Sequence, residues 1–262
     1  MVAGFAGKGW AIFPPEPGVQ AWARAARNAA RVRMAEPERR QAGLACEGTW
    51  FVGLDCLPND AAGCVAGVPL IGAARRAADA LAGPLPLHAG QVSVVWPGYP
   101  RPRAGEGPAA FRYRQKRDAA HVDGLLPIGP ERRRMLRERH AWLLGLPLTE
   151  VGAGASPLVV WEGSHHLMRR AFAAALDGID PRDWADVDLT GTYQAARREA
   201  FETCRRVALV APPGGAMLMH RMILHGIAPW REGATAPPEG RMVAYFRPDF
   251  PDEARDDWLT AP

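Results

Sequence analysis

The chain has 262 residues and a mass of 28.4 kDa, a length that fits one domain better than two. Its 48% hydrophobic and 23% charged residues are typical of a globular protein and exclude disordered, collagen-like and coiled-coil chains. The net charge of +4 is carried almost entirely by arginine, since Lys8 and Lys116 are the only lysines. Because this excess is mild and no nucleic-acid motif accompanies it, we expect no nucleic-acid partner.

No apolar stretch approaches the roughly 20 residues needed to span a bilayer, so we expect no membrane anchor. The first 15 residues contain an apolar run that ends at Pro14 and Pro15, which is too short for a signal-peptide core. We therefore expect a cytoplasmic protein. Four cysteines lack a Cys-x-x-Cys pair and are expected to be reduced and buried: Cys46, Cys56, Cys64 and Cys204.

Two segments near the start of the chain show helical spacing of apolar residues. These are residues 19–34 and residues 70–81, and the second is followed by the helix-terminating pair Gly83-Pro84. The N-terminal part of the chain, about residues 1–90, is therefore predicted to be rich in helix.

From residue 91 onward, short apolar or alternating stretches are separated by glycine and proline. Strands are predicted at 92–96, 111–114, 142–148, 158–161, 207–210, 216–220, 223–227 and 242–246, and helices at 130–139 and 192–204. Many short strands with turn signals favour a sandwich or barrel. We predict a single domain over residues 1–262, mainly β with α, with a jelly-roll core at about 91–250. This core is a cupin-like double-stranded β-helix with helices packed on one side.

His121-Val-Asp123 is the first segment that suggests chemistry. Side chains at i and i+2 of an extended segment project to the same side, so an imidazole and a carboxylate can converge on one ion. Taken alone, the tripeptide is equally compatible with the end of a surface strand whose His and Asp hydrogen-bond to each other.

About a hundred residues later, a glycine turn leads into two short strands that carry His220 and His225, and Arg241 opens a further apolar strand. Two histidines and one carboxylate with open positions form the donor set of non-haem Fe(II) oxygenases. A nearby arginine can bind a ligand carboxylate through two parallel hydrogen bonds.

Together these segments resemble the phytanoyl-CoA dioxygenase-like family of Fe(II)/2-oxoglutarate-dependent oxygenases. The resemblance rests on His121-Val-Asp123, on residues 156–165 with their Gly-Ser-His ending, on residues 215–226, and on Arg241. It covers about residues 111–250, and the order of the motifs is far more specific than any one of them.

The resemblance implies that His121, Asp123 and His225 ligate iron and form the catalytic centre, and that Arg241 binds the distal carboxylate of 2-oxoglutarate. His220 is the rival for the third ligand. His225 is preferred because the family's ligand is the second histidine of such a pair and is followed by glycine, as here by Gly226.

The implied reaction consumes O2 and 2-oxoglutarate, releases succinate and CO2, and hydroxylates a small-molecule substrate. Asp123, in place of a small residue, argues against the halogenating branch of the family. The chain departs from the family pattern at residues 231–240, which read as an inserted loop, and at Ile227, where relatives often carry a hydroxyl group.

Three further residues are predicted to bind substrate: Tyr113, Arg114 and Trp161. Tyr113 and Arg114 precede the His-x-Asp motif, and Trp161 lies on the strand before Gly163. Alternation on a half-exposed strand accounts for the first two nearly as well, and core packing is the stronger expectation for a lone tryptophan.

Two alternatives to this function stay open at the level of sequence. The first is a jelly-roll metalloenzyme that does not use 2-oxoglutarate. The second is a non-catalytic protein that binds a polyanion through the arginine-rich runs at 112–117 and 132–139. The sequence leaves the substrate and the oligomeric state open.

Overall fold

The computed structural model describes residues 4–261. Its helices are α1 (Phe5–Lys8), α2 (Pro17–Ala35), α3 (Pro37–Gly43), α4 (Ala73–Ala82), α5 (Pro108–Lys116), α6 (Ser164–Leu176), α7 (Thr190–Thr203) and α8 (Asp257–Thr260), with 3-10 turns at Trp184–Asp186 and Asp252–Ala254. Its strands are β1 (Trp10–Phe13), β2 (Leu44–Ala45), β3 (Trp50–Leu57), β4 (Gly90–Val95), β5 (Leu125–Ile128), β6 (Arg133–Leu136), β7 (Trp142–Pro147), β8 (Leu158–Trp161), β9 (Arg206–Leu209), β10 (Ala216–His220), β11 (His225–Ile227) and β12 (Arg241–Phe246).

Two antiparallel sheets form the body of the protein. The larger has seven strands in the order β1-β10-β7-β12-β4-β3-β2, and the smaller has three in the order β11-β8-β9. Strands β2, β3 and β4 are neighbours in chain order, whereas β1, β10, β7 and β12 come together from distant parts of the chain, as expected for a jelly roll rather than for a meander. The predicted double-stranded β-helix with accompanying helices is confirmed.

The central strand β7 shows why these strands read as continuous apolar runs. Its even-numbered residues, Trp142, Leu144 and Leu146, belong to the large core under the helices, whereas Leu143 belongs to a second apolar cluster, with Met219 and Val243. Alternate residues of a strand point to opposite faces, and both faces of β7 are buried. The second cluster contains residues from both sheets, and four of them, Leu143, Leu158, Met219 and Tyr245, line a cavity between the sheets.

Helix α2 packs against the larger sheet with an apolar stripe. Trp22, Ala26 and Ala30 are fully buried at helical spacing, and the Trp22 ring lies 5.9 Å from that of Phe246 in β12. The predicted helices at 19–34, 70–81 and 192–204 are confirmed as α2, α4 and α7. The first 90 residues also contribute β1, β2 and β3 to the larger sheet, strands that the helical spacing did not predict.

Most predicted strands from residue 92 onward are confirmed, but residues 111–114 are not a strand. They lie inside α5, whose first turn begins at Pro108 after the extended Gly107. Proline is favoured at this position because its fixed φ suits the helix and its missing N–H would be unpaired there anyway. The alternation of Phe111 and Tyr113 was therefore misleading.

The predicted helix at 130–139 is also wrong. Residues 125–136 form a β-hairpin in which Leu125 pairs with Leu136 and Ile128 with Arg133. Gly129 and Arg132 both have left-handed φ values, 69° and 54°, which turn the chain back on itself. Within residues 4–261, no helix is both long and apolar enough to cross a membrane, and the four cysteines are unpaired.

Candidate metal centre and active site

His121 and His225 are brought together by the backbone itself. The N–H of His121 donates to the carbonyl of His225 at 2.8 Å, and the N–H of His225 donates back to the carbonyl of His121 at 3.0 Å. This isolated antiparallel bridge joins the loop after α5 to β11. The imidazole ring centroids consequently lie 4.6 Å apart, although the two residues are separated by more than a hundred positions in the sequence.

Asp123 completes a cluster of three ligand atoms. Its Oδ1 lies 3.1 Å from His121 Nε2 and 3.7 Å from His225 Nε2, and one ligand atom from each of the three residues lies within 4.8 Å of the others. This is the one His/Cys/Asp/Glu group of metal-binding geometry among residues 4–261. Two imidazole nitrogens and one carboxylate oxygen suit Fe(II) with positions left open for other ligands.

Both imidazoles are oriented by their other nitrogen. His121 Nδ1 lies 3.0 Å from the carbonyl oxygen of Ala119, and His225 Nδ1 lies 3.0 Å from that of Ile223. A carbonyl can only accept, so each Nδ1 carries a proton. The Nε2 of His225 then keeps its lone pair, whereas the Nε2 of His121 lies 3.1 Å from Asp123 Oδ1 and donates to it when the ring is protonated. Such outer hydrogen bonds fix the tautomer and ring orientation of metal-binding histidines.

The charge states of the cluster suit cation binding. Burial lowers the pKa of His225 to about 4, so this imidazole is neutral at pH 7. Burial opposes ionisation of Asp123, but His225, His121 and Arg247 outweigh it and hold the Asp123 pKa well below its usual range. For His121, burial disfavours the charged form, yet the hydrogen bond to Asp123 prevails and raises the pKa. A metal ion held by His121 would compete with a proton for this nitrogen.

Gly226 is required by the close approach of two segments. A Cβ at this position would collide with the carbonyl oxygen of Asp118, which instead accepts a 3.0 Å hydrogen bond from the Ile227 N–H. Asp118 has a left-handed φ of 54°, and its buried carboxylate is held by Arg206 at 2.7 and 2.8 Å. This pair fixes the loop that carries His121.

The cluster opens into a cavity of about 200 Å³ between the two sheets. The residues that line it away from the metal cluster are Trp50, Val52, Gln91, Ser93, Tyr99, Leu143, Leu158, Met219, Ile227, Tyr245 and Arg247. The cavity is thus mainly apolar with a few polar groups, which is typical of small-molecule sites. The Trp50 indole N–H donates to Ser93 Oγ at 3.1 Å, and the buried Tyr99 hydroxyl has no partner among the described residues.

Arg241 is the first residue of β12 and does not line this cavity; it lines a separate small pocket with Thr149 and Val243. The residue is 5% exposed, its Nη2 lies 3.4 Å from the Tyr245 hydroxyl, and its Nη1 is buried without a hydrogen-bond partner among the described residues. Tyr245 lines the cavity, and its contact with Arg241 links the guanidinium to the cavity wall.

Tyr113, Arg114 and Trp161, which were predicted to bind substrate, do not line the cavity. Tyr113 donates its hydroxyl to the carbonyl of Ala120 at 2.6 Å, because α5 turns it inward toward the loop.

The other two residues of this group have structural partners as well. Arg114 is buried in an ion pair with Glu106, and Trp161 is a core residue that packs edge-on against Phe201 at 5.1 Å. Their contribution is to hold the surroundings of the metal cluster.

His220 points away from the metal cluster. Its Nδ1 accepts the N–H of Met222 at 3.0 Å, and its Nε2 lies 2.8 Å from Arg169 Nη2. Its ring also lies 4.7 Å from that of His165. The geometry thus favours His225 over His220 as the third ligand.

Sequence reasoning missed Trp50, Tyr99, Tyr245 and Arg247. Tyr245 and Arg247 follow Arg241 at i+4 and i+6, so the alternation of a strand places them on the same face. That signal was available once Arg241 had been singled out. Trp50 belongs to a strand that the helix-rich interpretation of the N-terminal part did not include.

No protein-family model matches the sequence, and no curated protein matches it. Among solved structures, AviO1 from Streptomyces viridochromogenes Tue57 is similar over 94% of this chain and 91% of its own, with 15% identity and a TM-score of 0.51. SnoK, a non-haem α-ketoglutarate-dependent carbocyclase from nogalamycin biosynthesis, is similar over 93% of this chain and 81% of its own, with 16% identity and a TM-score of 0.49. EctD from S. alaskensis, solved with 2-oxoglutarate and 5-hydroxyectoine, covers 94% of this chain and 73% of its own, with 18% identity and a TM-score of 0.44. At these identities the similarity is one of fold, and the chain shares the overall fold of AviO1.

Proposed function

We propose that the protein is an Fe(II)- and 2-oxoglutarate-dependent oxygenase that hydroxylates a small-molecule substrate. The observation that carries this proposal is the convergence of His121, Asp123 and His225 at one wall of the cavity, with ligand atoms within 4.8 Å of one another. Two imidazole nitrogens and one carboxylate oxygen match the donor set of non-haem Fe(II) oxygenases. The three residues would hold the ion, with its remaining positions facing the cavity.

The surroundings of Arg241 support 2-oxoglutarate as the co-substrate. A buried guanidinium nitrogen without a partner is unfavourable, and a carboxylate accepts two parallel hydrogen bonds from such a group. Tyr245 would supply a second donor beside it, which compensates for the apolar Ile227 where relatives often carry a hydroxyl group. We assign Arg241 and Tyr245 to the distal carboxylate of the co-substrate.

The remaining cavity residues bind and orient the substrate in this account. Bound Fe(II) and 2-oxoglutarate would supply oxidation by O2, coupled to release of succinate and CO2. Leu143, Leu158 and Met219 form an apolar inner wall that excludes water from this chemistry. Trp50 offers a flat apolar surface, and the unpartnered Tyr99 hydroxyl offers a hydrogen bond to the substrate.

The arginine-rich runs do not favour the polyanion-binding alternative. Arg114 is paired with Glu106, Arg117 lies over the Phe201 ring at 4.6 Å, and Arg134 donates to the carbonyl of Leu125 at 3.1 Å. These contacts tie the runs to the fold, and they leave the His-Asp-His cluster to be explained by metal binding.

The direct test is O2-dependent formation of succinate from 2-oxoglutarate by the purified protein supplied with Fe(II). We expect slow turnover without substrate, and loss of turnover in His121→Ala and Asp123→Ala. Arg182→Met serves as a control, because it removes an exposed arginine that is paired only with Asp180. Metal-bound wild-type protein that forms no succinate would favour a jelly-roll metalloenzyme with different chemistry.

A further inference from the structure

The two oxygens of the Asp123 carboxylate have different partners. Oδ1 faces the imidazoles, at 3.1 Å from His121 Nε2 and 3.7 Å from His225 Nε2. Oδ2 is bound instead by Arg247, whose Nη1 lies 3.1 Å away. The Asp123 side chain is only 8% exposed, so water does not compete strongly for either oxygen. One oxygen is thus directed to the metal cluster and the other is occupied.

Arg247 is itself held from two sides. It follows the last residue of β12, and its Nη2 donates to Gln91 Oε1 in the neighbouring strand β4 at 2.6 Å. Its backbone N–H donates to His88 Nε2 at 3.3 Å. The planar guanidinium therefore spans from the sheet to the Asp123 carboxylate, which a flexible point charge cannot do equally well.

Arg247 lies in the wall between two cavities. Its side chain lines the cavity beside His121 and Asp123 and also a second, more polar cavity of about 470 Å³ that includes Glu138, His140 and Asp249. Arg247 and Gln91 both line the two cavities. The ion pair with Asp123 thus keeps the carboxylate turned inward, away from the polar cavity.

We propose that Arg247 is a positioning residue that holds Asp123 as a one-oxygen metal ligand, with Oδ1 toward the ion and Oδ2 withheld from it. This inference rests on the metal site of the proposed function. A carboxylate that rotates freely can present both oxygens or neither, and either arrangement changes the number of positions left for the co-substrate and O2. Outer partners of this kind typically contribute about 10–100-fold to metal affinity.

The charge of Arg247 allows a positioning role to be distinguished from a purely electrostatic one. If the arginine acted only through its charge, removing it would strengthen cation binding at Asp123, because a nearby positive charge repels the ion. If it acts by positioning, removing it weakens binding despite the more favourable charge. The two roles therefore predict shifts of opposite sign in the dissociation constant.

The experiment measures the Mn²⁺ dissociation constant of the full-length protein by electron paramagnetic resonance of free Mn²⁺. We expect Arg247→Met to raise it by about 10–100-fold. Arg247→Lys keeps the charge but lacks the planar guanidinium. Its dissociation constant should lie between those of wild type and Arg247→Met. Gln91→Leu removes only the hydrogen bond that Arg247 donates to Gln91, so it should give the smallest loss of Mn²⁺ affinity. Arg182→Met is the matched control, since it breaks an exposed Arg–Asp pair far in sequence from the cluster.

Circular dichroism melting shows whether each variant is folded, and the visible absorption of the Co²⁺-loaded protein reports its coordination number. A changed Co²⁺ spectrum in folded Arg247→Met supports the positioning role, since loss of packing alone would not alter the ligand set. Unchanged or tighter Mn²⁺ binding in that variant overturns the inference while leaving the metal site intact. Absence of Mn²⁺ binding in wild type, or wild-type affinity in His121→Ala, would overturn the proposed metal site as well.

Discussion

Two groups of histidines in this protein differ in the residues that surround them. His121 and His225 share a carboxylate, have both Nδ1 atoms directed to carbonyl oxygens, and leave Nε2 facing a cavity. His165 and His220 are buried beside arginines. Their rings lie 4.7 Å apart, and burial lowers both pKa values, that of His165 to about 4.

The difference teaches that residue type and burial do not identify a metal site. Both groups contain histidines that are neutral at pH 7, which is one requirement for binding a cation. Only the first adds an ionised carboxylate. In the second, Arg169 and the N–H of Met222 occupy the ring nitrogens of His220. We therefore expect the first group to act in chemistry and the second in stability.

The largest expected effect is on metal affinity. Because His225 supplies one of three ligand atoms, His225→Ala should weaken Mn²⁺ binding by more than about 100-fold, beyond the effect of an outer partner. His220→Ala should change it by less than about threefold. Calorimetric titration of both variants measures the contrast. Equal losses in the two variants would remove the distinction between the groups.

Arg241→Met should raise the KM for 2-oxoglutarate by about 10–100-fold, which corresponds to about 1.4–2.7 kcal/mol. The reason is loss of the buried guanidinium that would bind the distal carboxylate. Tyr245→Phe should have a smaller effect of the same kind. Mn²⁺ affinity should stay at the wild-type value in both variants. An unaltered KM in Arg241→Met would favour a metalloenzyme that does not use this co-substrate.

His220→Ala should lower the free energy of unfolding by about 2–3 kcal/mol. The substitution leaves a cavity and deprives Arg169 and the Met222 N–H of an acceptor. Urea denaturation measures this loss, and His220→Gln should restore part of it by offering an acceptor. Stability equal to that of wild type would show that the second group has no structural role.

The second group also predicts a pH dependence. His165 is neutral when folded, and its pKa is lowered to about 4 because the residue is buried, whereas an unfolded histidine titrates near 6.5. Below pH 6.5 the unfolded chain binds more protons, so this group destabilises the fold progressively as the pH falls toward 4. The loss should be on the order of 1–3 kcal/mol. Denaturation of His165→Gln across this range should show a shallower slope, and an equal slope would contradict the assignment.

His140 should show the opposite sign. Burial alone would lower its pKa, but the carboxylates of Asp249, 2.8 Å from its Nδ1, and of Glu138, 3.1 Å from its Nε2, outweigh burial and raise the pKa to about 9. Its stabilising contribution is complete below about pH 6.5 and is lost as the pH rises through 9. The effect should be the smallest of the set, because both carboxylates are partly exposed. His140→Gln should flatten the alkaline limb of the stability curve, and an unchanged limb would be the contrary result.

The jelly roll was predicted from local signals, whereas the full His-Asp-His set was predicted from the family resemblance. Strands β8 and β10 are short apolar runs whose ends match the prediction, and His121-Val-Asp123 is a compact motif. The hairpin at residues 125–136 was missed because its charged residues mimic an exposed helix. The helix at Pro108–Lys116 was missed because two aromatic residues alternate within it.

The residues that line the cavity were harder to predict for a physical reason. Trp50, Tyr99 and Arg247 come from separate elements, and only the pairing of β3, β4 and β12 brings them to one cavity. Such long-range pairing is not encoded in any local window. Trp161, by contrast, looked like a pocket residue from its neighbours and instead packs in the core.

The most direct test of the central claim is the visible charge-transfer absorption that forms when Fe(II) and 2-oxoglutarate bind together without oxygen. We expect it in wild type and in His220→Ala, and we expect it to be absent in Asp123→Ala and His225→Ala. The same absorption in Asp123→Ala and His225→Ala, or its loss in folded His220→Ala alone, would contradict the account.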